Sequence, residues 1–156
     1  MKILVLSDSH REENYLRSAV QRERPDAVIH LGDYASDARV LEQEYPRLPV
    51  CTVRGNCDRD AADVQEEALL EWEGVQILAT HGHRYHVKSD LLTLRYAALE
   101  KGVQVVAFGH THIPYCEESD GLWMLNPGAC GRLFPSYGMI EIKNGTVQCR
   151  VMEEAL

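Results

Sequence analysis

The stretch Lys-Ile-Leu-Val-Leu-Ser-Asp-Ser-His at residues 2–10 decides the fold, because four apolar residues run directly into a group of polar ones. A short, uninterrupted apolar run that ends in this way is typical of a strand buried on both faces. A charged amphipathic pattern follows at 11–24 and ends before Pro25, and a second apolar run covers 26–32. This order predicts a strand at 2–7, then a helix, then a second strand, which together form a β-α-β unit.

The alternation of strand and helix patterns continues through the middle of the chain. It predicts helix 36–45, strand 49–53, an acidic stretch at 60–70 that we also expect to be helical, strand 75–80, helix 88–101 and strand 103–108. Three β-like runs follow at 122–126, 137–142 and 146–151, which we expect to be antiparallel, with a hairpin turn at Asn144-Gly145. The expected fold is therefore α/β, with two mixed sheets covered by helices.

Length and composition favour a single domain over residues 1–156. The 156 residues are 45% hydrophobic, which suffices for one sizeable core and is short for two ordinary domains. No apolar run is long enough to cross a bilayer, and a first strand that starts at residue 2 leaves no room for a signal peptide, so we expect a cytoplasmic protein. Five cysteines without C-x-x-C spacing indicate reduced thiols rather than disulfides or a thiolate zinc site.

The formal charge of −8 bears on the partners of the protein. Most of the surface would repel a polyanion, which argues against binding to long nucleic acids, and we expect no membrane partner. A small anionic substrate is compatible with this charge if the site itself is locally positive. Exposed sheet edges in so small a protein could support a homo-oligomer.

Five short polar motifs fall at the ends of successive predicted strands. They are Asp8-Ser9-His10, Gly32-Asp33, the Gly-Asn-Cys-Asp run at 55–58, His81-Gly82-His83 and the Gly-His-Thr-His run at 109–112. Open α/β sheets bind ligands at the carboxyl ends of their strands, so the five motifs could meet at one edge. Their imidazoles, carboxylates and one carboxamide suit manganese, iron, nickel or zinc. Two ions fit seven such donors better than one.

Two pairs of these residues have a spacing that places both ligands on one side. Residues two apart in an extended strand end point in the same direction, so Asp8 with His10, and His110 with His112, each offer two ligands together. The neighbouring glycines permit tight turns and close backbone approach at these places. The spacing therefore predicts a compact site.

With these motifs in this order, the chain resembles the calcineurin-like metallophosphoesterase superfamily, in particular its small prokaryotic phosphodiesterases, over nearly its whole length. The resemblance implies a four-layer α-β-β-α sandwich of two mixed sheets flanked by helices. It also implies two divalent ions, manganese before nickel, iron or zinc. The implied ligands are Asp8, His10 and His112 for the first ion, Asn56, His81 and His110 for the second, and Asp33 as the bridge.

The implied activity is hydrolysis of a small phosphate ester, more readily a diester than a protein-bound one, by a hydroxide held between the two ions. Asp33, Asn56 and His110 then belong to the catalytic set. We add Asp58, which we expect to orient a neighbouring ligand, and His83, which we expect in the same cleft.

Cys57 departs from the pattern of many relatives, which carry a histidine there that is thought to protonate the leaving group. A thiol is a poor proton shuttle at neutral pH. Departure of the alcohol would then rely on water, on the metals or on His83, in that order. The general acid stays open at this point.

Other functions with the same fold stay open as well, namely a non-catalytic metal-binding scaffold, a phosphomonoesterase and a nuclease. The filled ligand positions favour catalysis over a scaffold, and the acidic composition disfavours a nuclease. Outside the ligand set, we expect His30 to pack within its strand and Asn126-Pro127-Gly128 to form a structural turn. Arg84 and Lys88 are more simply explained as solvated than as phosphate-binding.

Overall fold

The computed structural model describes residues 1–131 and 133–153. Its helices are α1 (Glu13–Glu23), α2 (Ala38–Glu44) and α3 (Leu92–Lys101), with single 3-10 turns at Ala35–Asp37 and His83–Tyr85. Its strands are β1 (Lys2–Leu6), β2 (Ala27–His30), β3 (Val50–Thr52), β4 (Glu67–Trp72), β5 (Val75–Thr80), β6 (Val105–Ala107), β7 (Tyr115–Ser119), β8 (Leu122–Asn126), β9 (Ser136–Lys143) and β10 (Thr146–Glu153).

The first sheet has the strand order β10-β9-β1-β2-β3. The strands β1, β2 and β3 are parallel, with Ile29 opposite both Val5 and Cys51. The strand β9 is antiparallel to β1, and β10 is antiparallel to β9. Because α1 connects β1 to β2 and α2 follows β2 before β3, the predicted β-α-β unit is confirmed and extended by one more step.

The second sheet has the order β4-β5-β6-β8-β7. Its three central strands, β5, β6 and β8, are parallel, and α3 connects β5 to β6. The edge strands β4 and β7 are antiparallel to their neighbours. Both sheets are therefore mixed. Their parallel strands are β1, β2 and β3 in the first sheet, where β3 is an edge strand, and the central β5, β6 and β8 in the second.

The side chains of β1 show why its apolar run is uninterrupted. Ile3 and Val5 pack into a cluster between the two sheets, whereas Leu4 and Leu6 pack into a second cluster with residues of α1 and α2. A third cluster, which includes Leu78, joins the second sheet to α3. The order of layers is helix, sheet, sheet, helix, which confirms the predicted four-layer sandwich.

One predicted element and one predicted strand pairing were wrong. The stretch 60–70, expected to be helical, consists of turns followed by β4, in which Ala68, Leu70 and Trp72 pack against the inter-sheet cluster while Leu69 is exposed. The alternation of apolar and exposed residues in β4 was hard to recognise in the sequence because acidic residues flank it. The expected antiparallel pairing after residue 112 is found for β7 with β8, β9 with β10 and β9 with β1, but β8 is parallel to β6. The strand β7 had not been predicted.

The expected hairpin turn at Asn144-Gly145 is confirmed. It connects β9 to β10, and both of its residues have positive φ, 51° for Asn144 and 75° for Gly145, as a type I′ turn requires. All five cysteines are free thiols, as their spacing indicated. None of the helices within the described ranges is long and apolar enough to cross a membrane.

The inter-sheet cluster should dominate stability. Ile29 lies at its centre with no exposed surface, so Ile29→Ala should lower the free energy of unfolding by about 2–5 kcal/mol. The control Leu69→Ala removes a side chain that is 61% exposed and should cost about 0.5 kcal/mol or less. Guanidinium unfolding measures both, and equal losses would show that the cluster is not the main source of stability.

Candidate metal centre

The loops that follow β1, β2, β3, β5 and β6 meet at one edge of the sandwich. Backbone hydrogen bonds join them: the N–H of Asp8 donates to the carbonyl of Gly32 over 3.0 Å, and the N–H of Gly109 donates to the carbonyl of His81 over 2.9 Å. The five sequence motifs lie in these loops. Their predicted convergence at one edge is therefore confirmed.

The first group of side chains consists of Asp8, His10, Asp33 and His112. One potential ligand atom from each lies within 4.8 Å of all the others. The ring centroids of His10 and His112 are 5.2 Å apart, and Nε2 of His112 lies 3.1 Å from Oδ1 of Asp8. A cation at the centre of this group would meet two carboxylates and two imidazoles, which is a suitable donor set for a transition-metal ion.

The second group shares Asp33 with the first and adds His81 and His110. Nε2 of His81 lies 3.5 Å from Oδ1 of Asp33 and 3.2 Å from Nδ1 of His110. Nδ1 of His81 donates to the carbonyl of Leu31 over 2.8 Å, because a carbonyl can only accept. This bond leaves Nε2 of a neutral His81 with its lone pair directed toward Asp33, which is the orientation that a metal ligand needs.

Asn56 is the predicted ligand that the structure places least clearly. Its side chain is exposed, and its amide nitrogen contacts the thiol of Cys57 at 3.5 Å. The backbone next to it is well placed, since the N–H of Cys57 donates to Oδ1 of Asp33 over 2.9 Å. The structure thus brings six of the seven predicted ligands together and places Asn56 at the rim beside them.

Asp8 is a buried carboxylate whose basic neighbours among the described residues are histidines, with no lysine or arginine in an ion pair. Its Oδ2 accepts hydrogen bonds from Ser7 Oγ (2.6 Å) and the N–H of His110 (3.3 Å), and its buried Oδ1 receives no well-aligned hydrogen bond from a described residue. Burial alone would raise the pKa of Asp8, but contact with His112 and the charge of His81 hold it below its ordinary value. A buried carboxylate in this state needs a nearby cation.

Asp33 is buried as well, and no lysine or arginine forms an ion pair with either carboxylate within the ranges that the structure describes. Histidine nitrogens surround both. Burial and the neighbouring His81 lower the pKa of His110 to about 4, so its imidazole is neutral at pH 7. The contact with Asp8 raises the pKa of His112, so a metal bound there would displace a proton from that ring. Two carboxylates surrounded by imidazoles therefore fit divalent cations.

Five of the seven predicted ligands have a left-handed backbone. Their φ angles are 54° for Asp8, 49° for His10, 53° for Asp33, 71° for His110 and 61° for His112. This conformation costs a residue with a side chain about 1–2 kcal/mol. Such strain is typical of functional sites. It also corrects the expected geometry, because the paired ligands converge through tight turns after the strands and not through an extended strand end.

A family model for the calcineurin-like phosphoesterase superfamily domain matches residues 1–145. The chain belongs to this superfamily. The resemblance seen in the motifs is thus confirmed, and the site just described lies entirely within the matched part of this phosphoesterase domain.

Individual relatives agree with this membership over almost their whole length. YsnB of Bacillus subtilis, a probable metallophosphoesterase, is 37% identical over 162 residues, which cover 99% of this chain and 92% of that protein. Phosphodiesterase MJ0936 of Methanocaldococcus jannaschii is 29% identical over 173 residues, 98% of this chain and 100% of that protein. A crystal structure of a predicted phosphoesterase from Streptococcus pneumoniae has a TM-score of 0.81 at 26% identity, covering 97% of this chain and 88% of the other.

Asp58 holds the loops of this phosphoesterase site in place. Its buried carboxylate accepts hydrogen bonds of 2.8 Å from the backbone N–H groups of Asp33, Ala35 and Gly55. It is therefore a positioning residue, in line with the expectation that it orients a neighbouring ligand. His83, the other added candidate, lies at the edge of the site, with its ring centroid 5.5 Å from that of His81 and 6.1 Å from that of His110.

Two glycines let the backbone approach the buried carboxylates. A Cβ on Gly55 would lie 2.2 Å from Oδ1 of Asp33, and a Cβ on Gly109 would lie 2.1 Å from Oγ of Ser7 and 2.9 Å from Oδ2 of Asp8. Any side chain at these positions would displace a predicted ligand. The glycines of the motifs are thus required by close approach, as the sequence indicated.

Several residues that support the predicted ligands were not identified, or were given too small a role, from the sequence. Tyr34 packs against His10 at 5.0 Å between ring centroids, and Ser7 binds Asp8. The buried Asn126 donates to the carbonyl of Gly109 (3.1 Å) and to Oγ1 of Thr111 (3.0 Å), which fixes the loop of His110 and His112. Their only signal was a polar residue beside a motif, which does not reveal a contact partner.

The buried His30 has a structural role, as expected, and it fills this role through hydrogen bonds as well as packing. Its Nδ1 accepts from the N–H of Gly32 over 3.2 Å, so its Nε2 donates to Oγ of Ser9, which in turn donates to Asp37 over 2.7 Å. Burial keeps the pKa of His30 below its ordinary value. This neutral chain of hydrogen bonds supports the loops after β1 and β2.

Removal of the Asp58 carboxylate should loosen the whole site. Asp58→Ala leaves three buried N–H groups without their acceptor, so the free energy of unfolding should fall by about 3 kcal/mol or more, and Mn²⁺ affinity should fall about 10- to 100-fold. Denaturant unfolding and isothermal titration measure the two effects. Asp60→Ala, an exposed carboxylate in the same loop, is the control, and wild-type values for Asp58→Ala would contradict the positioning role.

Proposed function

We propose that this chain is a metal-dependent hydrolase of small phosphodiesters. The observation that carries the proposal is the pair of buried carboxylates, Asp8 and Asp33, which are surrounded by histidines and have no ion pair with lysine or arginine in the described residues. Relatives named as metallophosphoesterases and as a phosphodiesterase, matched over nearly their full length, support a hydrolase.

We assign two divalent ions to the two groups of side chains. The first group would hold one ion through Asp8, His10 and His112, the second would hold another through His81, His110 and Asn56, and Asp33 belongs to both groups. The donors suit manganese, nickel, iron or zinc, and the family resemblance leads us to place manganese first. When bound, two such ions supply a hydroxide nucleophile at neutral pH and Lewis-acid stabilisation of the phosphoryl oxygens.

The protein itself contributes orientation and charge to this chemistry. The bond from His81 to the Leu31 carbonyl and the burial of His110 keep their ring nitrogens available as ligands. Among the described residues, the carboxylates in the two groups are Asp8 and Asp33, so two divalent ions would leave a net positive charge there in spite of the formal −8 of the whole chain. A phosphodiester monoanion would be attracted to this point.

The described residues beside Asn56 offer the leaving group two candidate proton donors, Cys57 and His83. Cys57 is exposed next to Asn56, and a thiol transfers protons poorly at neutral pH. His83 is the nearest alternative, at the distances given above. We therefore propose that the leaving alcohol departs mainly with the help of water and the metals, which favours esters of acidic alcohols.

Activity should depend on metal and on Asp33. The protein loaded with Mn²⁺ should hydrolyse bis(4-nitrophenyl) phosphate, and EDTA should abolish the reaction. Asp33→Asn should lower kcat/KM by roughly 100-fold or more, because loss even of an outer partner of a metal ligand costs about 10- to 100-fold. Asp60→Asn serves as the control. A chelated protein at full rate, or an unaffected Asp33→Asn variant, would refute the metal-dependent mechanism and leave the scaffold alternative.

The type of ester should matter as much as the metal. We expect turnover of aryl diesters to exceed that of alkyl diesters by at least about 100-fold, because without an efficient general acid the rate follows the acidity of the leaving alcohol. Parallel assays with bis(4-nitrophenyl) phosphate, methyl 4-nitrophenyl phosphate and dimethyl phosphate measure this. The monoester 4-nitrophenyl phosphate should react more slowly than the aryl diester. Similar rates for aryl and alkyl diesters would point to a proton donor at the leaving group.

A further inference from the structure

A pocket of about 420 Å³ opens directly beside the candidate metal centre. Its walls include Gly55, Asn56 and His83, all of which adjoin the predicted ligands of the second ion. Gly55 is in close contact with Asp33, and His83 packs near His81 and His110. A substituent on a phosphate held at the metal centre can therefore extend into this pocket.

The remaining walls of this pocket are basic. Arg54, Arg59 and Arg84 line it together with two carboxylates, Glu66 and Asp58. Asp58 is buried and bound to three backbone N–H groups, so Glu66 is the carboxylate that faces the arginines. The pocket is thus locally positive on a protein whose formal charge is −8.

Glu66 holds two of the arginines in position. Its Oε1 accepts from Nη2 of Arg84 over 2.8 Å and from Nη2 of Arg54 over 3.0 Å. The contact with Arg84 is the main reason that the pKa of Glu66 lies below its ordinary value, so it is charged at neutral pH. Arg59 forms no ion pair with any carboxylate in the part of the chain that the structure describes. One carboxylate thus orients two guanidinium groups and neutralises only one charge.

A second pocket next to the metal centre has the opposite character. It has a volume of about 600 Å³, and its lining includes Tyr34 and Cys57, which adjoin the first group of ligands. Besides the buried Asp58, which also lines the first pocket, its charged residues are two arginines, Arg11 and Arg39, and three carboxylates, Glu42, Asp60 and Asp63. An anionic substituent would be repelled there and attracted on the side of Arg54 and Arg84.

We propose that the pocket of Arg54, Arg59 and Arg84 binds an anionic group on one ester arm of the substrate, so that the natural substrates are phosphodiesters with a second negative charge. The proposal rests on the proposed function, since it takes the phosphoryl group to lie at the metal centre. Carboxylate and phosphate are the two anionic groups that guanidinium donors bind best. The contrast between the two pockets also fixes the orientation of such a diester, with its charged arm on the side of Asn56 and His83.

The test uses two probes that cannot be hydrolysed. In benzyl(methyl)phosphinate and (4-carboxybenzyl)(methyl)phosphinate, carbon replaces both ester oxygens, and the two differ by one carboxylate. Isothermal titration of the Mn²⁺-loaded wild-type protein should show that the carboxylated probe binds roughly three- to tenfold more tightly. The benzyl probe, which carries only the phosphinate charge, is the internal reference, because any change in folding or in metal loading alters the binding of both probes.

Two variants should move this preference in opposite directions. Arg84→Gln removes a cation and should reduce the preference to about twofold or less. Glu66→Gln leaves Arg54 and Arg84 without their counter-charge and should increase the preference at least about twofold over wild type, a gain that damage to the fold cannot produce. The matched control is Arg17→Gln on α1, which breaks a surface ion pair with Glu44 at the end of α2. It should leave the preference unchanged.

The outcomes separate this inference from the proposed function. Equal affinity for the two probes in wild type, a preference unchanged in both variants, or no binding of either probe would overturn the anionic subsite. Hydrolysis of bis(4-nitrophenyl) phosphate by the same preparation tests the proposed function independently. Turnover without a binding preference refutes only the subsite, whereas a preference without turnover supports the subsite and refutes the hydrolase.

Discussion

The structure depends on the burial of two carboxylates, Asp8 and Asp33, at a point where the ends of two sheets meet. Like charges brought together out of water repel each other and lose hydration, which no fold tolerates without compensation. Here the described compensation consists of imidazoles, hydroxyl and backbone N–H donors, with no lysine or arginine in an ion pair. The need for cations is thus built into the packing, and the membership in a phosphoesterase superfamily agrees with it.

The scaffold is arranged to hold these groups at an energetic cost. The parallel strands of each sheet deliver the loops to one edge of the sandwich, and the left-handed turns at Asp8, Asp33 and His110 aim their side chains inward. Glycines at 55 and 109 leave room for the carboxylates, and Asp58 ties three backbone amides together. A large inter-sheet core, which contributes nothing to the chemistry directly, offsets the strain of the loops.

Charge is distributed unevenly around the site, and this distribution matters for the choice of substrate. The protein as a whole is acidic, yet arginines gather beside the second group of ligands and carboxylates beside the first. An acidic surface disfavours long polyanions, while the local basic pocket, on the proposal made above, would select a small anion by shape as well as by charge. Arg84, which the sequence suggested was simply solvated, is held by Glu66 at the entrance to this pocket.

The sequence by itself determined the order of the elements, the family and the loops that carry the ligands, because apolar periodicity and the Asp, His and Gly motifs are local signals. It misjudged 60–70, where acidic residues hid the alternation of β4, and it could not pair β8 with β6, since strand pairing depends on distant residues. Only the tertiary structure decided the left-handed turns, the clamp of Asp58, the rim position of Asn56 and the contrast between the two pockets. Each of these arises from contacts between loops that are far apart in the chain. The sequence of one loop does not indicate which residues of another loop it will contact.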